Sequence, residues 1–420
     1  MKTKKIFNII VVIGFCIVIF LVPVLTKLSK NSDYSIFENR NLATPPVLSF
    51  DSNNSDASVT WDKTLGDYMS SWDVYFSDHI FQRDKILMMK NLIDINILKR
   101  PVVNDVIIQK DLLLPFNNYN LTVTDEFKVN NEWAAYVMSN LLSDVKTLVE
   151  GYGGKFVYIG VPEQYSMFRD FYPKYLNNNG ERLSFIETNF FHYLNEKKID
   201  NIDMREEFLK TDDYTKYYFD TDHHYNFFGA FLTYQILMNK LNETYNAGLP
   251  VLTENDIDFV KLENPFYGSR NRKLYSRYNS TDKLYYYTEK NPLPFTRQDD
   301  GKESYSYIFD LPAKDDTTSP MTYNIYMGGD KGETIIRTNR DNLPNALIFG
   351  DSFSNPLETF LYHSFNEMRS VDMRHYYKST IMEYIKEYKP DYVFCIRDDT
   401  MYLSFTGNGD IYGDNRANQN

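Results

Sequence analysis

The stretch of residues 346–356 constrains the fold of this chain most strongly. It opens with Ala-Leu-Ile-Phe, a short apolar run that is typical of a buried strand. Gly350 follows and permits a tight turn, since a residue without Cβ can adopt backbone angles that are closed to others. Asn355 and Pro356 then predict the cap and the first residue of a helix. A strand, a sharp turn and a helix present one side chain at the carboxyl end of an α/β sheet, and here that side chain is Ser352.

Helical and strand patterns alternate along most of the chain. Helices are predicted over 61–98, 132–150, 182–197, 227–241, 356–365 and 379–388. Strands are predicted over 156–161, 202–204, 346–349, 370–373 and 391–396, and a hairpin over 102–116. This alternation predicts an α/β fold with a parallel sheet flanked by helices. Residues 245–340 interrupt it and are rich in tyrosine, so we expect an irregular, β-rich insertion outside the sheet.

The N-terminus carries a membrane signal. A basic head precedes an uncharged and mostly apolar run, residues 6–26, which is long enough to span a bilayer as a helix. Residues 1–26 therefore predict an uncleaved signal anchor with its lysines inside and the remaining chain outside the cell membrane. A cleaved signal peptide is the alternative. The polar composition of residues 27–60 predicts a tether.

The remaining domain boundaries follow from the same patterns. The α/β domain is predicted in two parts, 61–244 and 341–405, separated by the insertion 245–340. The Gly/Asn/Asp-rich residues 406–420 are expected to be a loose tail. The 420 residues carry a formal net charge of -12, which disfavours nucleic acid as a partner. The placing of the two cysteines predicts no disulfide framework.

A serine hydroxyl needs a neighbouring base and a group that orients the base before it can act as a nucleophile. Two histidines, His223 and His224, are adjacent in an acid-rich segment just before the predicted helix 227–241. Either Asp222 pairs with His224 or Asp220 pairs with His223, and the spacing alone leaves both pairings open. No Cys/His cluster indicates zinc, so no metal site is predicted.

The motifs resemble a known superfamily. Gly350-Asp351-Ser352 after a strand looks like the first block of the SGNH hydrolases, but here the Asp-x-His segment 221–225 comes before the serine. This order resembles the circularly permuted SGNH branch, which comprises the bacterial DHHW proteins and the alginate O-acetyltransferase proteins. Three further stretches match, namely 37–42, 75–79 and 371–374.

The resemblance assigns roles to individual residues. It implies Ser352 as nucleophile, His224 as base and Asp222 as the group that orients the base. Tyr225 stands where the family usually has tryptophan, and Tyr225 and Arg374 are the candidate substrate-binding residues. An ion pair of Arg374 with the nearby Asp372 is the structural alternative. The backbone N–H of Ser352 is one expected oxyanion donor, and no cofactor is implied.

The resulting functional hypothesis is an extracytoplasmic O-acetyltransferase or acetylesterase that acts on a cell-surface polysaccharide through an acyl-enzyme. The resemblance further implies a membrane-bound O-acyltransferase as the partner that supplies acetyl groups. The alternative hypothesis is a non-catalytic, membrane-anchored protein that binds glycan through the tyrosine-rich insertion.

Overall fold

The computed structural model describes residues 2–29, 32–47, 57–117, 121–176, 180–304 and 307–414. The chain forms two compact units. The N-terminal unit comprises Met1–Asn104 and Asn271–Asn279, and the sheet unit comprises Asp105–Arg270 and Ser280–Asn420.

The N-terminal unit is mainly helical. Its elements are α1 (Lys2–Cys16), a π-helical turn (Ile17–Leu21), α2 (Val22–Leu28), β1 (Tyr34–Ser35), β2 (Arg40–Asn41), α3 (Ala57–His79), α4 (Arg83–Leu92), a second π-helical turn (Ile93–Ile97) and β3 (Val102–Val103). Within the described part of the chain, one helical stretch, Ile6–Leu28, is long and apolar enough to cross a membrane. It coincides with the anchor that the sequence predicts.

Part of the predicted tether is folded onto α3. The guanidinium of Arg40 donates two hydrogen bonds to the buried carboxylate of Asp78, with N–O distances of 2.8 and 2.6 Å. The backbone N–H of Ala43 donates to the same carboxylate over 2.9 Å. Arg40 and Ala43 of the predicted tether are thus held on α3, because a buried carboxylate requires such partners. The tether residues 48–56 lie outside the described residues.

The remaining strands and α-helices are given in chain order and lie in the sheet unit, except that residues 271–273, the end of the helix Ser269–Lys273, belong to the N-terminal unit. The strands are β4 (Val106–Gln109), β5 (Leu112–Pro115), β6 (Lys155–Val161), β7 (Asp200–Asp203), β8 (Ile257–Lys261), β9 (Tyr285–Glu289), β10 (Thr296–Asp299), β11 (Lys302–Ser304), β12 (Glu333–Arg337), β13 (Ala346–Gly350), β14 (Glu367–Val371) and β15 (Tyr392–Asp398). The helices are α5 (Asp125–Glu150), α6 (Gln164–Met167), α7 (Glu181–Glu196), α8 (Met204–Leu209), α9 (Phe227–Tyr245), α10 (Ser269–Lys273), α11 (Ser354–Leu361) and α12 (Ile381–Tyr388).

Eight strands form the main sheet in the order β11, β10, β12, β14, β13, β15, β6, β7. The five strands from β14 to β7 are parallel to one another. At the other edge β12 is antiparallel to β14, and β10 is antiparallel to both β12 and β11. The parallel sheet predicted from the alternating pattern is thus confirmed, with an antiparallel extension at one edge.

Helices cover both faces of the parallel strands. Helices α5, α7 and α12 pack with residues such as Tyr158, Phe349 and Cys395 in one buried cluster. Helix α11 connects β13 to β14, and α12 connects β14 back to β15 on the other side of β13. The two connections run in opposite directions across the sheet. Because such crossovers are right-handed, the two helices lie on opposite faces. Helix α11 packs against α9 on its own face, where the rings of Phe231 and Phe360 lie 5.2 Å apart.

Three local expectations need correction. Helix α11 begins at Ser354, so Asn355 lies inside the helix and does not cap it. The insertion 245–340 does not stay wholly outside the sheet, because β10 to β12 extend its edge and complete backbone hydrogen bonding there. Residues 407–411 of the predicted loose tail are buried, and the side chain of Asn408 bonds the end of β13. Residues 415–420 of that tail lie outside the described residues.

Candidate active site

Ser352 lies in the short turn between β13 and α11, at the carboxyl end of the parallel sheet. The sequence suggests that Gly350 is needed for the backbone angles of a tight turn, but the structure gives a different reason. Its backbone is not in the left-handed region, but a Cβ at this position would lie 2.5 Å from the carbonyl oxygen of Ile396 in β15. The absence of a side chain lets the two strands approach closely, and this closeness sets the position of Ser352.

The structure brings together the three residues that the resemblance singled out. The Nε2 atom of His224 lies 2.8 Å from the Oγ atom of Ser352. The Nδ1 atom of the same imidazole lies 2.7 Å from Oδ1 of Asp222. A hydroxyl, an imidazole and a carboxylate in series form the connectivity of a nucleophile, a general base and the group that orients the base.

The alternative pairing of Asp220 with His223 is not formed. The Nδ1 atom of His223 lies 2.8 Å from Oγ of Ser269 and 3.3 Å from the Asp222 carboxylate. Asp220 and His223 share no hydrogen bond, and the backbone N–H of Asp220 donates to Asp282 over 2.9 Å. The structure therefore selects the pairing of Asp222 with His224.

The insertion holds Asp222 in place. The backbone N–H of Ser269 donates to Oδ2 of Asp222 over 2.6 Å, so both carboxylate oxygens are engaged. The guanidinium of Arg270 donates to the backbone carbonyl of Asp222 over 2.8 Å. Gly268 permits this approach, because a Cβ there would lie 2.5 Å from the carbonyl oxygen of Thr221. Nothing in the sequence marks these residues as parts of the site.

Burial and charge set the protonation states of the pair. Burial and repulsion by the neighbouring His223 lower the pKa of His224 to about 4. Burial by itself would raise the pKa of Asp222, but the charges and hydrogen bonds of the two imidazoles outweigh burial and hold this pKa well below its usual value. Near neutral pH the carboxylate is ionised and the imidazole is neutral, which is the state that a general base requires.

Aromatic rings enclose the imidazole. The ring of Tyr323, from the insertion, stacks on His224, and the ring of Phe353 lies 4.8 Å from it on centroids. Tyr225 is fully buried, and its hydroxyl donates to the backbone carbonyl of Phe353. The expectation that Tyr225 contacts substrate is therefore corrected: it supports the turn that carries Ser352 from behind.

Ser352 opens onto a cleft of about 330 Å³. Arg374 lines this cleft and also donates to Asp372 over 2.9 Å and to Asp330 over 3.1 Å. Both interpretations of Arg374 from the sequence are thus compatible with its position, since it forms the structural ion pair and faces the space beside Ser352.

Three acidic residues, two of them buried, form another wall of the cleft, and the sequence motifs gave none of them a role. Glu163, Asp351 and Asp398 line it. Burial, reinforced by the proximity of Asp398, raises the pKa of Asp351 to about 8, and burial raises the pKa of Glu163 well above its usual value. A carboxyl group accepts hydrogen bonds and, when it is protonated, also donates one, which suits recognition of hydroxyl groups.

The backbone N–H of Ser352 is available to an oxyanion. It lies in the turn before α11 and makes no hydrogen bond within the described chain.

Asn408 supports the same turn from the C-terminal segment. Its side-chain amide donates to the carbonyl of Gly350 over 2.7 Å, and its oxygen accepts the N–H of Met373 over 2.9 Å. Asn408 thereby ties the C-terminal segment to the strand end that carries Ser352.

Two groups of side chains in the described residues come close enough together to hold a metal ion. One consists of Asp222, His223 and His224, in which the His224 imidazole is already shared between Asp222 and Ser352. The other consists of Asp330, Asp372 and His375, and both of its carboxylates are already paired with Arg374.

Comparisons with known proteins agree with this fold. Residues 121–259 match the family model described as ALGX: SGNH hydrolase-like domain, acetyltransferase AlgX. The structure of Bacillus cereus PatB1 with a sulfonyl adduct aligns with a TM-score of 0.59 and 22% identity, over 73% of this chain and 98% of that one. A second structure of Bacillus cereus PatB1 aligns with a TM-score of 0.56 and 21% identity, over 72% of this chain and 99% of that one.

The crystal structure of a DHHW family protein from Eubacterium siraeum DSM 15702 also has a similar fold. It aligns with a TM-score of 0.53 and 19% identity, over 72% of this chain and 93% of that one. A comparison with curated proteins found no match. The chain thus carries an SGNH hydrolase-like domain with an N-terminal apolar helix.

Proposed function

We propose that this chain is an extracytoplasmic O-acetyltransferase or acetylesterase that acts on a cell-surface polysaccharide, with Ser352 as nucleophile, His224 as base and Asp222 as its orienting acid. The observation that carries the proposal is the pair of distances at His224, 2.8 Å to the Ser352 hydroxyl and 2.7 Å to the Asp222 carboxylate. The description of the matching family model, which names an acetyltransferase, supports the acetyl group as the one transferred.

The first half-reaction forms an acyl-enzyme. Neutral His224 takes the proton of the Ser352 hydroxyl as its oxygen attacks the carbonyl carbon of an acetyl donor. The backbone N–H of Ser352 stabilises the oxyanion of the tetrahedral intermediate. Collapse breaks the bond to the donor oxygen, which leaves with the proton from His224, and the acetyl group remains on Ser352.

The second half-reaction releases the acetyl group to an acceptor. His224 takes a proton from a sugar hydroxyl or from water, and the resulting oxygen attacks the acetyl carbon. The Ser352 oxygen leaves and recovers its proton from His224. A sugar acceptor gives an acetylated polysaccharide, and water gives acetate.

The walls of the cleft suit a carbohydrate acceptor. Arg374 and the carboxyl groups of Glu163 and Asp398 provide donors and acceptors around Ser352. The helical stretch Ile6–Leu28 anchors the chain in the cell membrane with the sheet unit outside. A membrane-bound O-acyltransferase is then the partner that supplies acetyl groups.

Labelling with a sulfonyl fluoride tests the catalytic proposal, because only an activated serine reacts readily with it. We expect labelling of Ser352 in the intact chain, and its loss in Ser352→Ala and His224→Ala. Both variants should also lose acetyl release from a simple acetyl ester and acetyl transfer to a polysaccharide. Asp220→Asn is the control, since Asp220 has no hydrogen bond to the imidazole of His223 or of His224. An unlabelled serine together with retained glycan binding would establish the non-catalytic alternative instead.

A further inference from the structure

An apolar stripe runs along α3 in the N-terminal unit. Leu65, Met69, Trp72 and Phe76 are spaced at i, i+4, i+7 and i+11, which places them on one face of the helix. Met69 is 61% exposed and Phe76 is 56% exposed. The opposite face carries Asp67, Ser70 and Ser71, and Val74 is its one apolar member. The stripe is therefore the exposed apolar face of an amphipathic helix.

The end of α3 is attached to the end of the candidate membrane span. The backbone N–H of Phe81, just after α3, donates to the hydroxyl of Thr26 in α2 over 2.9 Å. The hydroxyl of Thr26 in turn donates to the carbonyl of Val22 over 2.8 Å. This pair of bonds holds the aromatic end of α3 beside the C-terminal end of the apolar span.

A groove of about 930 Å³ lies between the span and the stripe. Val22 and Pro23 of the span form one wall, and Trp72, Tyr75 and Phe76 of α3 form another. The rings of Trp72 and Phe76 stack with centroids 5.2 Å apart, which gives the wall a continuous aromatic surface. Because Val22 and Pro23 of the span line the groove, a membrane that surrounds the span would also reach the groove.

We propose that α3 lies in the interfacial layer of the membrane with the stripe facing the hydrocarbon, and that the groove takes an acyl chain of a membrane phospholipid. Tryptophan and tyrosine concentrate at this layer because their rings combine an apolar body with a polar edge. An amphipathic helix with large apolar residues on one face binds in the same plane. The inference rests on the membrane anchor of the proposed function and adds a second, peripheral membrane contact.

Tryptophan fluorescence in nanodiscs tests this contact, because the chain has only three tryptophans. In the full chain, Trp61→Phe with Trp133→Phe leaves Trp72 as the reporter. Nanodiscs of phosphatidylethanolamine and phosphatidylglycerol with brominated acyl chains should quench most of the Trp72 emission relative to unbrominated lipid. The matched control adds Trp72→Phe and Val74→Trp, which moves the indole to the opposite face of α3, and its emission should hardly change.

The possible outcomes separate this inference from the proposed function. Equal quenching of the two indoles, or quenching of neither, overturns the interfacial contact. An unquenched Trp72 that crosslinks to another membrane protein in cells shows a protein surface instead and also overturns it. A chain that does not co-purify with nanodiscs contradicts the anchor. Labelling of Ser352 by a sulfonyl fluoride, measured on the same samples, reports folding and catalytic competence independently of the lipid contact.

Discussion

The ring of Tyr323 lies parallel to the imidazole of His224, with centroids 3.7 Å apart and an angle of 4° between the planes. The Tyr323 hydroxyl is buried and has no hydrogen-bond partner in the described structure. The ring and the hydroxyl of this residue therefore have opposite effects. The ring fixes the plane of the imidazole, whereas the hydroxyl carries the cost of an unsatisfied buried group.

Replacing Tyr323 by phenylalanine should separate these effects. Tyr323→Phe keeps the stacked ring and removes the unsatisfied hydroxyl, so the free energy of unfolding should rise by about 1 kcal/mol with activity retained. Tyr323→Ala leaves a cavity beside His224 and should lower the free energy of unfolding by about 3 kcal/mol. Denaturant unfolding and ester hydrolysis measure both variants. A loss of activity in Tyr323→Phe would show that the hydroxyl takes part in the reaction.

The acid limb of the pH profile should report the pKa of His224. That pKa is about 4 in the folded chain, so kcat/KM for an acetyl ester should fall around this pH and not near the usual histidine value of about 6.5. Asp222 and Asp330 favour the charged imidazole, while burial and His223 oppose it. His223→Ala removes one opposing cause and should move the acid limb to higher pH. An unmoved limb would assign it to another group.

The lowered pKa of His224 also makes the free energy of unfolding depend on pH. Because the folded pKa of His224 is depressed below its unfolded value, the unfolded chain binds the proton more readily. The contribution of His224 to stability is therefore complete above about pH 6.5 and is lost as the pH falls toward 4. The free energy of unfolding of His224→Gln should depend less steeply on pH in this window than that of the unaltered chain.

Sequence periodicity was sufficient to predict the central strands and to place Ser352 and the two adjacent histidines at the ends of predicted elements. It left the pairing of the aspartates with the histidines open, and only the resemblance to the permuted SGNH branch implied His224 and Asp222. Each motif stands at the end of a strand or the start of a helix, and the topology of a parallel sheet brings such positions to one edge. Ser269, Tyr323 and Asn408 were not predictable in this way. They belong to irregular segments that are distant in the chain, and no hydrophobic period specifies the path of such segments.

Gly350 offers a test of how the sheet positions the nucleophile. A Cβ there would lie 2.5 Å from the carbonyl oxygen of Ile396, so Gly350→Ala should push β13 away from β15. We expect a loss of about 1–3 kcal/mol in the free energy of unfolding, with a fall in activity because Ser352 moves with the strand end. Gly66→Ala in α3 is the control, since nothing lies within 4 Å of the added Cβ. A fully active and stable Gly350→Ala would show that the strand spacing is not critical.

Asp222→Asn tests whether Asp222 orients the imidazole of His224. One of its carboxylate oxygens contacts that imidazole, and the other accepts the N–H of Ser269. The amide cannot supply the charge that stabilises the protonated imidazole, and it favours the wrong histidine tautomer, so kcat should fall by about 10⁴-fold. The fold should survive, because an amide oxygen in place of Oδ2 can still accept the N–H of Ser269. Asp220→Asn makes the same side-chain replacement two residues away, at a carboxyl that has no hydrogen bond to either imidazole, and should keep nearly full activity. The test compares the rates of acetyl release by the two purified variants. Circular dichroism checks that both are folded. Similar rates in both variants would remove Asp222 from the mechanism.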